Sequence, residues 1–188
     1  RALQIATLGK IPKVTEFAIR RAAAEPASLE KLLAAVETYT PERQLMVLNQ
    51  ISQAMKGRVD VPMPKSWEQA YTVFMDSDQP EVRQQALRLA VTFGDRRVFP
   101  SLRETLADGD AAIAERQQAL DILVAGQDKE AAAAIQAAVG NPQLQGAAVR
   151  ALAAYGDPKT PGVLLAAYAS MSPANKSDAI ATLVSRVN

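Results

Sequence analysis

The chain has 188 residues, with 21 Lys+Arg against 20 Asp+Glu for a net charge of +1, and it contains neither cysteine nor histidine. That length suits one sizeable core, and the near-neutral charge lacks the basic stripe of a dedicated nucleic-acid binder. The missing Cys and His exclude a disulfide framework and remove the usual ligands of zinc, haem and iron–sulfur centres, so no metal and no cofactor is expected. No apolar run approaches the ~20 residues of a membrane helix. Charge is uneven along the chain, with nine basic and five acidic residues over 1–58, eight and thirteen over 59–140, and four and two over 141–188. An elongated molecule would carry these as separate zones that orient a partner.

The opening RALQIATLGK has the pattern of a helix already under way, without an initiator Met or a charged n-region, so a piece of a larger protein is expected. Three helices are expected between Gly9 and Gly57, near 12–24, 28–38 and 41–56, with breaks at Glu25-Pro26 and Thr40-Pro41. The stretch 1–57 is thus an irregular N-terminal part carrying an extra helix, followed by more regular repeats over 58–188 of a single domain. RVDVPMPK (58–65) reads as an inter-helix loop held extended by Pro62 and Pro64. Beyond it, Trp67, Tyr71 and Phe74 fall at helical spacing and form a core stripe rather than a ligand cage.

Similar stripes recur at Leu45, Leu48, Ile51 and Met55, at Val82, Ala86, Leu89 and Phe93, and at Leu144, Ala148, Leu152 and Tyr155. Each precedes a glycine, and with Gly9 the series is Gly57, Gly94, Gly126 and Gly156, spaced by 48, 37, 32 and 30 residues. Glycine suits the left-handed position that ends a helix. Asp95 and Asp157 follow where an N-cap belongs. Shorter helical runs then begin at DRRVFPSL, QDKEAAAAIQ and DPKTPGVLL, with Pro158, Pro161 and Pro173 tolerable near helix starts. Two such helices cannot bury both apolar faces alone, and stacking pairs side by side resolves this. The expected fold is all-α: an α-solenoid of about five antiparallel helix pairs, twelve or so helices in all, with no strand.

The stretches DQPEVRQQALRLAVTFGDRRVFPSL and GAAVRALAAYGDPKTPGVL resemble HEAT and HEAT-like repeats, an armadillo-like helical family. Val82-Arg83 and Val149-Arg150 match the family's Val-Arg element, and Ala86-Leu87 and Ala151-Leu152 match its core pair. Gly94-Asp95 and Gly156-Asp157-Pro158 match its exit. The middle repeat departs from the pattern, with Glu115-Arg116 in place of Val-Arg and Gln127-Asp128 after Gly126. A narrower resemblance joins PERQLMVLNQISQAMKGRVDVPMPKSW to SPANKSDAIATLVSR. Together they are similar to the helical-repeat region of large bacterial proteins that links a dehydrogenase-like propeller to a cytochrome c domain. That resemblance implies an extracytoplasmic parent, but the chain holds no CxxCH and no glycine-rich cofactor loop.

Arg83, Arg116 and Arg150 recur at equivalent repeat positions. They are expected to be structural, reaching back to turn carboxylates such as Asp76, Asp78, Asp108 and Asp110, or to carbonyls. Those Asp pairs are expected to cap turns rather than hold a metal. The groups Arg20-Arg21, Arg96-Arg97 and Lys10/Lys13 are read as solvated helix faces, because aromatic residues for base stacking make up only 5%. The function these features imply is a non-catalytic scaffold or spacer for a protein partner or a neighbouring domain. The alternatives are a nucleic-acid-binding HEAT-like protein and a bilin-lyase-like HEAT enzyme, and the lack of Cys and His weighs against the latter.

Overall fold

A computed structural model describes residues 11–58 and 61–185. The helix tail expected over RALQIATLGK, with Gly9 and Lys10, lies outside the described residues, as do Val59 and Asp60 of the inter-helix loop. Among the described residues there are eleven α-helices and no strand. The chain divides into two compact units, Arg1–Arg96 and Arg97–Asn188. The first contains α1 (Pro12–Ala23), α2 (Pro26–Ala34), α3 (Pro41–Met55), α4 (Trp67–Met75) and α5 (Pro80–Thr92). The second contains α6 (Phe99–Ala107), α7 (Ile113–Ala125), α8 (Ala132–Ala138), α9 (Gln145–Ala151), α10 (Thr160–Ala167) and α11 (Pro173–Val184).

Proline sets five of the eleven described helix starts. Helices α1, α2, α3, α5 and α11 each begin at a proline, where the missing N–H is one the helix could not have used. Pro26 and Pro41 therefore break the N-terminal stretch into three helices where the sequence predicts the breaks. Side-chain caps are scarcer than the Asp-rich turns suggest. Ser172 accepts from the Asn175 N–H at 3.2 Å at the start of α11, while the starts of α1 to α5 carry no such bond.

In the first unit each helix packs on the one two places along. Helix α1 rests on α3 and α3 on α5, while α2 rests on α4, with α1–α2 and α4–α5 as adjoining pairs. Ile19, Leu33, Leu48, Ile51 and Leu89 are fully buried between these helices, and Ala22, Ala86 and Ala90 let them approach closely. Polar pairs bridge the same helices. Arg20 donates from Nε and Nη2 to Gln50 Oε1 at 3.0 and 2.8 Å, and Gln85 Nε2 donates to Ser52 Oγ at 2.8 Å. Trp67 and Phe74 are buried and Tyr71 half-buried, so the aromatic stripe of α4 is core. The Trp67 ring meets Phe93 edge-on, with centroids 4.9 Å apart.

The second unit follows the pattern in part: α6 packs on α8 and α9 on α11 two places along, while α6–α7 and α8–α9 are adjoining pairs. Its core is Leu106, Leu120, Leu123, Ile135, Leu144 and Leu152. Alanine lets α9 and α11 come close at Ala148 and Ala179, and Thr182 Oγ1 donates to the Val149 carbonyl at 3.1 Å. The alanine-rich 131–139 run starts at the end of a 3-10 turn, Lys129–Ala131, and is otherwise α8 and its C-cap, with Ala131, Ala132 and Ala138 buried.

The repeated glycines do not share one role. Gly57 and Gly94 adopt the left-handed conformation, with φ of 78° and 70°. Gly126 does not: its φ is −80°, and the left-handed residue is Gln127, at φ 50°. Gly126 is small for a different reason, since a Cβ there would lie 2.6 Å from Phe99 Cζ. Gly156 is neither left-handed nor crowded, so the left-handed conformation expected of these glycines fails at both positions, although Gly126 is the residue that ends α7. Replacing Gly126 with Ala is therefore expected to cost about 1–3 kcal/mol by overpacking against Phe99. Gly156→Ala should stay within about 0.5 kcal/mol of the parent. Urea unfolding of the two variants tests this, and equal effects would contradict it.

Candidate functional site

The three recurring arginines occupy different surroundings. Half-buried Arg83 donates from Nη1 to the Ser77 carbonyl in the turn before α5. Arg116 is 8% exposed, and its Nε donates at 3.1 Å to the Leu106 carbonyl in the last turn of α6, where the helix dipole favours a cation. Both reach backward as the sequence predicts, but onto main-chain carbonyls rather than the turn aspartates. Arg150 corrects the expectation, since it reaches forward and pairs with Asp178 of α11 at 2.8 Å while its side chain is 62% exposed. The recurrence in sequence thus does not produce a ladder of like contacts.

The aspartates sort by local geometry. Asp95 is buried, and its Oδ2 accepts from the Trp67 indole Nε1 at 3.0 Å. Asp157 does not cap α10 directly. Its Oδ1 accepts the Lys159 N–H at 2.8 Å in a turn two residues ahead, and also takes Gln136 Nε2 at 3.0 Å. Asp108 makes the same kind of turn with the Asp110 N–H at 2.9 Å, and Asp76 ends α4. Asp128 caps its own turn and pairs with Arg103 at 2.9 Å. Among the described residues no group of three His, Cys, Asp or Glu is placed to hold a metal ion, and no helix is long and apolar enough to cross a membrane.

A pocket of about 290 Å³ opens in the first unit beneath the loop that follows α3. Ala23, Leu29, Met55 and Val61 contribute its apolar lining, with Pro62 and Pro64 from the loop, and Glu30, Arg58 and Lys65 at its edge. Glu30 anchors the loop: its carboxylate accepts the Lys65 N–H at 2.7 Å, the Ser66 N–H at 2.9 Å and the Ser66 hydroxyl at 2.6 Å. The Ser66 hydroxyl bond, then the two N–H donors and the nearby Lys65 charge, hold the Glu30 carboxyl below its ordinary range against the opposing effect of burial. Arg58 donates to the Ala24 carbonyl at 3.4 Å, beside Met55 Sδ at 4.0 Å.

The sequence identifies the loop but not the pocket under it. Glu30 and Ser66 lie 36 residues apart, and no local spacing connects them. In the second unit a shallower cleft runs between α7 and α9, with Leu120, Asp121 and Val124 on one wall and Ala147, Arg150 and Ala151 on the other. Gln117 Nε2 donates to Asp121 Oδ1 at 3.0 Å there. Tyr155, behind the cleft, donates to the Leu123 carbonyl at 3.4 Å, and burial followed by the Asp128 charge pushes its phenol up. No family model matches the sequence, and no curated protein does.

Two outcomes follow from these contacts. Truncation to Ala should cost about 1–3 kcal/mol at buried Arg116, which leaves the Leu106 carbonyl without its donor. At Arg150, whose pair is largely solvated, the cost should be about 0–1 kcal/mol. Chemical denaturation ranks the two, and the reverse order would contradict the assignment. The Glu30 contribution is complete above the ordinary carboxylate range and disappears as pH falls through its depressed folded value. Stability measured from pH 7 to 3 should therefore decline less steeply in Glu30→Gln than in the parent, and parallel curves would remove Glu30 from the account.

Proposed function

We propose that the chain is a non-catalytic scaffold, an α-solenoid of about five HEAT-like helix pairs that holds a protein partner or a neighbouring domain. The observation that carries this reading is the packing of helices on the ones two places along in both units, α1 on α3 on α5 and α9 on α11. Stacked pairs of that kind need only their neighbours, and they leave one row of helices to line a continuous surface. Large apolar side chains stand exposed on the first and last described helices: Phe17 at 65%, Ile180 at 51% and Val184 at 63%. Such side chains suit a further stacked element or a partner. Arg83, Arg116, Arg150, Asp95, Asp108, Asp128 and Asp157 bond to turns and neighbouring helices, so recognition on this reading falls mainly to shape and apolar surface.

Photo-crosslinking in the native host tests the reading. A photoreactive phenylalanine analogue at Phe17 or Ile180 is expected to capture a discrete protein species or an adjoining domain. The same group at exposed Glu104 on α6 should capture neither. Equal, diffuse labelling at all three positions would contradict the scaffold reading.

A further inference from the structure

We infer that the pocket beneath the 61–65 segment is an anchor site for an acidic peptide, seating one large apolar side chain with its flanking carboxylates toward Arg58. The inference rests on the scaffold reading and names the chemistry of one partner segment. Its basis is a cavity of defined size with an asymmetric edge.

The volume of about 290 Å³ lies at the lower limit for small-molecule sites, which usually span roughly 300–1,000 Å³ and enclose most of their ligand. A cavity of about 150 Å³ already holds benzene, so this space admits one aromatic side chain with room to spare, and aromatic side chains are common anchors of protein interfaces. The floor is aliphatic and thioether, from Leu29, Met55 and Val61, and the adaptable Met63 side chain, 46% exposed, also lines it.

The edge carries three charged side chains, Glu30, Arg58 and Lys65, for a net of one positive charge. The Glu30 oxygens are taken by Lys65 N, Ser66 N and Ser66 Oγ, which fixes the carboxylate to the loop rather than to the opening. Among the described residues, Arg58 donates to the Ala24 carbonyl and lies beside the Met55 thioether, neither of them charged. An exposed guanidinium so placed can receive a carboxylate bidentately. Pro62 and Pro64 stiffen the loop wall, and the tie from Glu30 holds its far end, so little ordering accompanies occupation.

Fluorescence anisotropy with the labelled peptide Asp-Asp-Phe-Asp-Asp tests the site on the whole chain. Saturable binding is expected, weaker by about tenfold for Asp-Asp-Ala-Asp-Asp and weaker as ionic strength rises. The variant Arg58→Glu/Lys65→Glu, checked for unchanged helical circular dichroism, should reverse the preference toward Lys-Lys-Phe-Lys-Lys. If that variant does not fold, methyl NMR of the parent decides: the Met55 and Met63 methyl signals should shift with the Phe peptide and not with the Ala peptide. Absent saturation, equal affinity for the Phe and Ala peptides, or unmoved methionine signals would overturn the assignment. Sodium octanoate binding more tightly than the peptide would also overturn it, in favour of a free amphiphilic carboxylate. Failure here alongside discrete crosslinks at Phe17 or Ile180 would leave the scaffold reading intact and remove only this site.

Discussion

Short helices with one apolar face impose the governing constraint on this chain. The α-helices run from seven to fifteen residues, too short to be stable alone in water. Each must place its stripe against neighbours: α1–α3–α5 and α2–α4 meet two places along in the first unit, and α6–α8 and α9–α11 do so in the second. The core is consequently a series of local clusters, such as Leu48 and Ile51 in one unit and Leu120 and Leu123 in the other. Alanine is frequent in those clusters because close helix approach, rather than side-chain bulk, fills the space. Where bulk is needed, Trp67 supplies it: its buried indole packs on Tyr71, Phe74 and Phe93 and donates to Asp95.

Asp95 illustrates how the constraint reaches polar groups. A carboxylate taken to 3% exposure is costly unless donors meet it, and the Trp67 N–H is one such donor from 28 residues away. The bridges Arg20–Gln50, Gln85–Ser52 and Asn175–Gln145 similarly join helices that already share an apolar seam. These bonds fix the register of one helix on the next, while apolar burial holds them together. The arginine, aspartate and glutamine side chains so occupied hold neighbouring helices in register, and recognition on our reading falls to apolar surface and to cations such as Arg58.

Much of the fold was legible because its signals are local. Proline marks the starts of five helices, and apolar spacings of three and four residues mark their buried faces at Val82, Ala86 and Leu89. Signals that depend on distant neighbours were misread or invisible. Gly126 does end α7, yet without the left-handed conformation expected of it, and its small size answers to Phe99, 27 residues earlier. Asp157 looked like a cap and instead serves a turn and Gln136. Arg150 matched Arg83 in sequence but faces Asp178 because α11 lies beside it. The pocket requires α1, α2, α3 and the following loop together, and only its proline-held wall at Pro62 and Pro64 left a trace in the sequence.

If stability resides in neighbour contacts, a local lesion must stay local. Native-state hydrogen exchange on Leu48→Ala measures this directly, since Leu48 is fully buried in α3, which contacts α1 and α5. The account predicts lower protection for amides of α1, α3 and α5, with those of α9 and α11 unchanged. A uniform loss of protection across all helices would mean one cooperative core and would contradict the stacked-pair architecture on which the scaffold reading stands.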